Sequence, residues 1–184
     1  NIYAAGNQWR SGNYTYGSGI TINGTNSNGP NALLVSYASD GTPQWAKTVT
    51  AGTSHSDFNA LIIDSSNNIY TAGYQNTNGS YTYAAGVTLA GVATTGNASL
   101  IKYNTSGVAQ WARTLTSIIG SGSDARFNSV TVDTSGLIYA CGYQFNSATY
   151  NYNGISVAGA ASTYNATFVK FNTGGGGNRA SSTQ

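Results

Sequence analysis

The feature that most constrains this chain is a repeat. The segment NIYAAG at Asn1–Gly6 returns as NIYTAG at Asn68–Gly73 and as LIYACG at Leu137–Gly142. Their isoleucines, Ile2, Ile69 and Ile138, lie 67 and 69 residues apart. Four further blocks recur in the same order. YTY at Tyr14–Tyr16 reappears at Tyr81–Tyr83, and as YNY at Tyr150–Tyr152. ALLVSY from Ala32 corresponds to ASLIKY from Ala98 and ATFVKF from Ala166. PQWAKTV from Pro43 corresponds to AQWARTL from Ala109, and FNALIID from Phe58 to FNSVTVD from Phe127. Self-similarity at a fixed period of this size marks stacked supersecondary units, each burying its apolar faces against its neighbours.

Each block predicts a short strand. Val35 with Tyr37, Ile101 with Tyr103, and Val169 with Phe171 alternate at period two, as a packed sheet face requires. Between blocks stand turn residues: Ser39-Asp40-Gly41, Asp64-Ser65-Ser66-Asn67, Asn104-Thr105-Ser106-Gly107 and Asp133-Thr134-Ser135-Gly136. Asp and Asn bond their own backbone there, and Gly or Asn accepts a positive φ. One unit therefore reads as strand a (58–64), a tight turn, strand b (68–74), a long excursion, strand c (98–103), a tight turn and strand d (110–115). The excursion, which carries the Tyr-x-Tyr block, is expected to add a small hairpin on one rim.

Composition agrees with strands and turns. Only 7% of the 184 residues are charged, Glu and Met are absent, and there are 24 Gly and 14 Tyr. Residues that favour helices on exposed faces are scarce. The expected fold is all-β and β-propeller-like: three tandem four-stranded blades of about 67 residues, with the end blades incomplete within the chain. A β-solenoid or a β-sandwich is the alternative. The chain reads as one repeat domain over 1–173, with blades at 1–50, 51–117 and 118–173. A Gly-rich tail follows at 174–184, where the Trp of strand d is replaced by Arg179. That tail is a candidate strand for donation to a neighbouring blade.

With NIYTAGY, ASLIKYNTSGVAQWAR and FNSVTVD on the page, the chain resembles the bacterial SBBP-type β-propeller repeat up to Asn172. The run YNTSGVAQW at Tyr103–Trp111 is its most specific part. The resemblance implies a secreted or envelope-associated bacterial scaffold, and it carries no catalytic motif to transfer.

The residues themselves offer little chemistry. His55 and Cys141 are single, and the five acids are all Asp, so neither a Ser-His-Asp triad nor a Cys-His pair assembles. No catalytic, cofactor or metal site is expected, and the chain is not expected to be an enzyme. Asp57 and Asp124 recur before strand a, and Asp64 and Asp133 after it. One carboxylate per turn is far short of the several oxygens calcium needs, so these read as turn caps. Net charge is +2 with the basic residues dispersed, which argues against nucleic acid. No apolar run is long enough to span a bilayer.

The candidate contacts for a ligand or subunit are aromatic: Trp9, with Tyr14, Tyr16, Tyr81, Tyr83, Tyr150 and Tyr152, whose alternation puts each pair on one strand face. An exposed binding row and a small core beneath the excursion are both compatible with that spacing. Trp45 and Trp111, at equivalent places on strand d, read as structural packing between blades. Six Asn-x-Ser/Thr triplets occur, at Asn13, Asn23, Asn78, Asn97, Asn104 and Asn165. The expected function is an extracellular or cell-surface assembly subunit that completes its blades head-to-tail with copies of itself, as a ring or a filament. A glycan- or protein-binding module is the alternative.

Overall fold

The computed structural model describes residues 1–52 and 54–183. Those residues form no helix and fold into eighteen strands in small antiparallel sheets. The first unit contains β1 (Ile2–Trp9), β2 (Asn13–Thr15), β3 (Thr21–Asn23), β4 (Pro30–Tyr37) and β5 (Pro43–Thr48). The second contains β6 (Ser56–Ile63), β7 (Ile69–Asn76), β8 (Ser80–Ala84), β9 (Val87–Ala90), β10 (Gly96–Tyr103) and β11 (Ala109–Arg113). The third contains β12 (Ser117–Ile119), β13 (Ala125–Val132), β14 (Ile138–Phe145), β15 (Thr149–Tyr152), β16 (Ile155–Ala158), β17 (Tyr164–Phe171) and β18 (Gly177–Thr183).

The main sheets run in the orders β1-β4-β5, β6-β7-β10-β11 and β13-β14-β17-β18. The expected small hairpins are present as β2-β3, β8-β9 and β15-β16, with β12 added to the edge of the last. Among the described residues the sheets do not close into a barrel or a ring.

Turn chemistry sets the registers. Asp64 Oδ1 accepts from the amides of Ser66 and Asn68, and Asn67 takes φ 60°. Asp133 does the same for Ser135 and Leu137, with Gly136 at φ 80°. In the second tight turn Asn104 Oδ1 accepts from Ser106 and Val108. These are side-chain mimics of a backbone turn.

The same turn recurs at the tail. Asn172 Oδ1 accepts from the amides of Gly174 and Gly176, and Gly175 takes φ 80° where Gly107 takes 72°. The glycine run is therefore a hairpin turn. The strand expected to be free for donation is β18, paired with β17 of its own chain from Ala166↔Thr183 to Phe171↔Gly177. Ladder bonds come from the backbone, so Arg179 in place of Trp does not prevent the strand from forming. The first sheet keeps the expected gap: β1 pairs with β4 only.

Successive sheets pack face to face. β1 and β4 lie against β6, while β7 and β10 lie against β13. The first junction buries Ala32, Leu34, Phe58, Ile69, Ile101 and Tyr103 in one cluster, with Tyr3 and Ala5 packed on it. The second buries the matching set: Tyr70, Ala72, Ala98 and Leu100 with Phe127, Ile138, Val169 and Phe171.

Candidate functional site

The Tyr-x-Tyr pairs are interior rather than an open row. Tyr81, Tyr83, Tyr150 and Tyr152 are buried, and Tyr14 and Tyr16 are half-buried. Each pair makes the same two bonds. The first hydroxyl donates to a backbone carbonyl: Tyr81 to Asn76 at 2.6 Å, Tyr150 to Phe145 at 2.7 Å, and Tyr14 to Trp9. The second donates to a glutamine Oε1: Tyr16 to Gln8 at 3.1 Å, Tyr83 to Gln75 at 3.2 Å and Tyr152 to Gln144 at 3.1 Å. Burial pushes the Tyr83 and Tyr152 phenols well above their ordinary range.

The excursions are pinned at their far ends by asparagine. Asn97 Oδ1 accepts from Val92 and Ala93, and its Nδ2 donates to the Thr77 carbonyl at 2.9 Å. Asn165 accepts from Ala161 and donates to the carbonyls of Asn146, Ala161 and Thr163. Both are fully buried, so these two triplets cannot carry glycans in the folded chain. Asn13, Asn23 and Asn78 are exposed.

Trp45 and Trp111 link one unit to the next. Trp45 Nε1 donates to the Thr105 carbonyl at 3.1 Å, across the junction. A Cβ on Gly107 would lie 2.8 Å from the Trp45 ring, and one on Gly175 would lie 3.1 Å from Trp111. Each indole thus covers the glycine of the next unit's tight turn. Arg113 adds donation to the Gly174 and Gly175 carbonyls at 2.8 and 3.1 Å, with its guanidinium over Trp111. The series is open at both ends. Gly41, in the first unit's turn, has no such cover, and Arg179 stands exposed where the third unit would place a Trp.

Trp9 is 53% exposed, with its ring 6.4 Å from that of His55. The carboxylates are engaged locally. Asp64 Oδ2 accepts from Asn68 Nδ2 at 2.8 Å and from the Tyr70 hydroxyl at 3.0 Å, and Asp133 accepts from Tyr139 at 2.7 Å. Asp57 accepts from Asn7, and burial raises its pKa. Asp124 pairs with Arg126 at 3.2 Å and accepts from Tyr143, whose phenol burial pushes up to about 12. Among the described residues no three His, Cys, Asp or Glu side chains gather as a metal would require. Among the described residues no helix is long and apolar enough to cross a membrane.

What distinguishes the surface is the two outer sheet faces. On the third sheet, Tyr139, Cys141, Tyr143, Ala166 and Phe168 stand where the second sheet has Tyr70, Ala72, Tyr74, Ala98 and Leu100. Ala72 and Leu100 are fully buried by the following sheet, whereas Cys141 is exposed and Tyr164, farther along β17, is 62% exposed. Tyr164 packs on Tyr143 and Phe145 of its own sheet at 5.0 and 5.1 Å. On the first sheet, Ile2 is 53% exposed, while its equivalents Ile69 and Ile138 are at 0%. The period-two alternation of Val35 with Tyr37 marked the outer face of the first sheet, whereas that of Val169 with Phe171 marked the inner face of the third. The Gln and Asn pins went unread, although Gln8, Gln75 and Gln144 recur in the sequence at the repeat spacing. No family model matches the chain, and no curated protein matches it.

Proposed function

We propose that this chain is a non-catalytic β-propeller-like repeat protein of the SBBP type, its main sheets serving as blades, that works outside the cell or on a bacterial surface as a structural subunit. Its partners are copies of itself, packed head to tail. The supporting observation is the pair of outer faces. The third sheet leaves open the apolar set that the first two sheets bury, and the first sheet leaves open the receiving position. Such a contact uses two different patches, so it yields a ring if the rotation closes and a filament if it does not.

Light scattering and electron microscopy of the purified chain test this reading. Particles at multiples of 19.0 kDa are expected, and Phe168→Asp should return them to the single-chain mass. A wild-type chain that stays at one copy up to high concentration sinks it. One observation favours the carbohydrate-binding alternative: Trp9 presents an open indole face beside His55. Binding on a glycan array that is lost in Trp9→Ala would decide for it.

A further inference from the structure

The two junctions between units are built from equivalent residues, yet they enclose different cavities. At the first, a cavity of about 500 Å³ lies between β3 and β5 of one unit and the β8-β9 hairpin and tight turn of the next. Its walls are largely apolar: Ile22, Ala46, Val49, Tyr83, Ala84 and Val108. Of these, Ala46, Val49 and Tyr83 are buried. The matching cavity at the second junction is smaller, about 320 Å³, with Leu89, Ala112, Leu115 and Asn153 in the places of Ile22, Ala46, Val49 and Ala84. Every strand around the first cavity is paired within its own sheet, so the space is not a vacant strand position.

A few positions make the difference. Lys47 and Arg113 run past the same glycine: a Cβ on Gly107 would lie 2.8 Å from Lys47 Cε, and one on Gly175 would lie 2.9 Å from Arg113 Nε. Arg113 commits its guanidinium to the Gly174 and Gly175 carbonyls at 2.8 and 3.1 Å, and Asn153 Nδ2 donates to the Gly175 carbonyl at 2.9 Å. Lys47 makes no hydrogen bond or ion pair among the described residues, and Ala84 brings no polar group. Val108 adds an apolar wall where the next unit has Gly176. Asn23 and Thr25 line the rim in the places of Ala90 and Val92. Both are exposed, and neither side chain is hydrogen-bonded among the described residues. The first cavity therefore joins an apolar interior to an amine, an amide and a hydroxyl that are not engaged within the described chain.

We propose that the cavity at the first junction binds a small amphipathic anion, a medium-chain carboxylate, with its aliphatic tail against Ile22, Val49 and Tyr83 and its carboxylate on the Lys47 amine. Small-molecule sites are mostly apolar cavities of about 300–1,000 Å³ in which a few polar groups fix orientation. Lys47 is the only charged residue of this lining, so the complementary head group is an anion. The Thr48 and Thr50 hydroxyls already donate to the Ala32 and Thr82 carbonyls, which leaves Asn23 and Thr25 for the second carboxylate oxygen. Tyr83 is the one aromatic residue of the lining, and it is buried with its hydroxyl on Gln75. It offers no open ring for a sugar, and the apolar walls suit an alkyl chain. Neither Phe168 nor Trp9 lines the cavity, so binding here stands apart from head-to-tail assembly and from the glycan alternative.

The test titrates octanoate into the full chain by isothermal calorimetry, below its micelle concentration, beside 1-octanol, which has the same tail and no charge. Saturable one-to-one binding of octanoate is expected, about tenfold or more tighter than that of 1-octanol. Lys47→Gln should weaken octanoate by about tenfold or more and leave 1-octanol unchanged. Ala84→Leu, which fills the cavity, should abolish both. Lys47 has no bond to lose, so Lys47→Gln should unfold at the wild-type urea concentration and carries the test if Ala84→Leu does not fold. Bound octanoate should also protect Lys47 from an amine-modifying reagent while Lys102 and Lys170 react as before. Absence of saturable binding, 1-octanol bound as tightly as octanoate, or octanoate binding indifferent to Lys47→Gln overturns the proposal.

Discussion

Replacing Gly142 by Ala should cost far more than the same change at Gly6, and the structure sets the size of the difference. The new methyl would lie 1.8 Å from the Arg126 carbonyl oxygen, a backbone atom that cannot rotate aside. Ordinary C···O approaches are about 3.3 Å, so β13 and β14 must part locally by roughly 1.5 Å. A ladder bond near 2.9 Å does not survive that stretch. Two such bonds at about 1 kcal/mol each, plus about 1–3 kcal/mol of overpacking strain, oppose the roughly 0.5–1 kcal/mol that Ala gains over Gly in a strand. The net loss is about 2–4 kcal/mol, a large share of the roughly 5–15 kcal/mol that holds a domain together. Gly73→Ala meets the Asp57 carbonyl in the same way and should lose as much. Gly6→Ala has no clash and should be neutral or slightly stabilising. Urea unfolding followed by the fluorescence of Trp9, Trp45 and Trp111 measures all three, and hydrogen exchange along β13 and β14 locates the loss. If Gly142→Ala and Gly6→Ala unfold at the same urea concentration, the close approach does not constrain the fold.

The other tests address the pins, the junctions and the turns. Asn165→Ala removes four hydrogen bonds at a fully buried site and should cost about 2–3 kcal/mol, whereas exposed Asn13→Ala should stay within about 0.5 kcal/mol of wild type in the same denaturation assay. Trp45→Phe keeps a ring over Gly107 but loses the bond to Thr105, so it should cost about 1 kcal/mol, with hydrogen exchange rising at the tight turn after β10. Hydrogen bonds hold Asp64 and Asp133 below the ordinary carboxylate range: at Asp64 those from Asn68 and Tyr70 outweigh the opposing effect of burial, and at Asp133 the Tyr139 hydroxyl contributes most. Their stabilisation is complete above the unfolded value near 4 and fades as pH falls through the lower folded values. Melting temperature should drop on that acid side, and Asp64→Asn should flatten the drop. Asp57 behaves oppositely: burial raises its pKa, so its charged form opposes folding above that value, and Asp57→Asn should raise the melting temperature at pH 7.

How much of this was legible in the sequence depends on whether a residue's role is local. Asp64, Asn104 and Gly107 announce their turns because the bonds they make span only a few residues, and the strands between them follow from period-two alternation. The Tyr-x-Tyr pairs were legible as strand faces but not as buried ones. Alternation states which side chains share a face, not what lies over it: here Phe58 packs on Tyr83 and Phe127 on Tyr152, while Gln75 and Gln144 accept their hydroxyls. The last strand was obscured because Arg179 replaces the indole that marks strand d elsewhere. Asn172 and Gly175 repeat the turn before it, and a turn is the stronger evidence, since pairing depends on backbone geometry and the indole only on the next unit's glycine. Gly6 lay beyond sequence reading altogether, because a close approach is a property of two strands. Only the contrast between crowded Gly73 and Gly142 and uncrowded Gly6 separates one repeated letter into two roles. The same contrast holds for Ile2 and for the gap between Tyr16 and Tyr37, three observations that set the first sheet apart from the two that follow it.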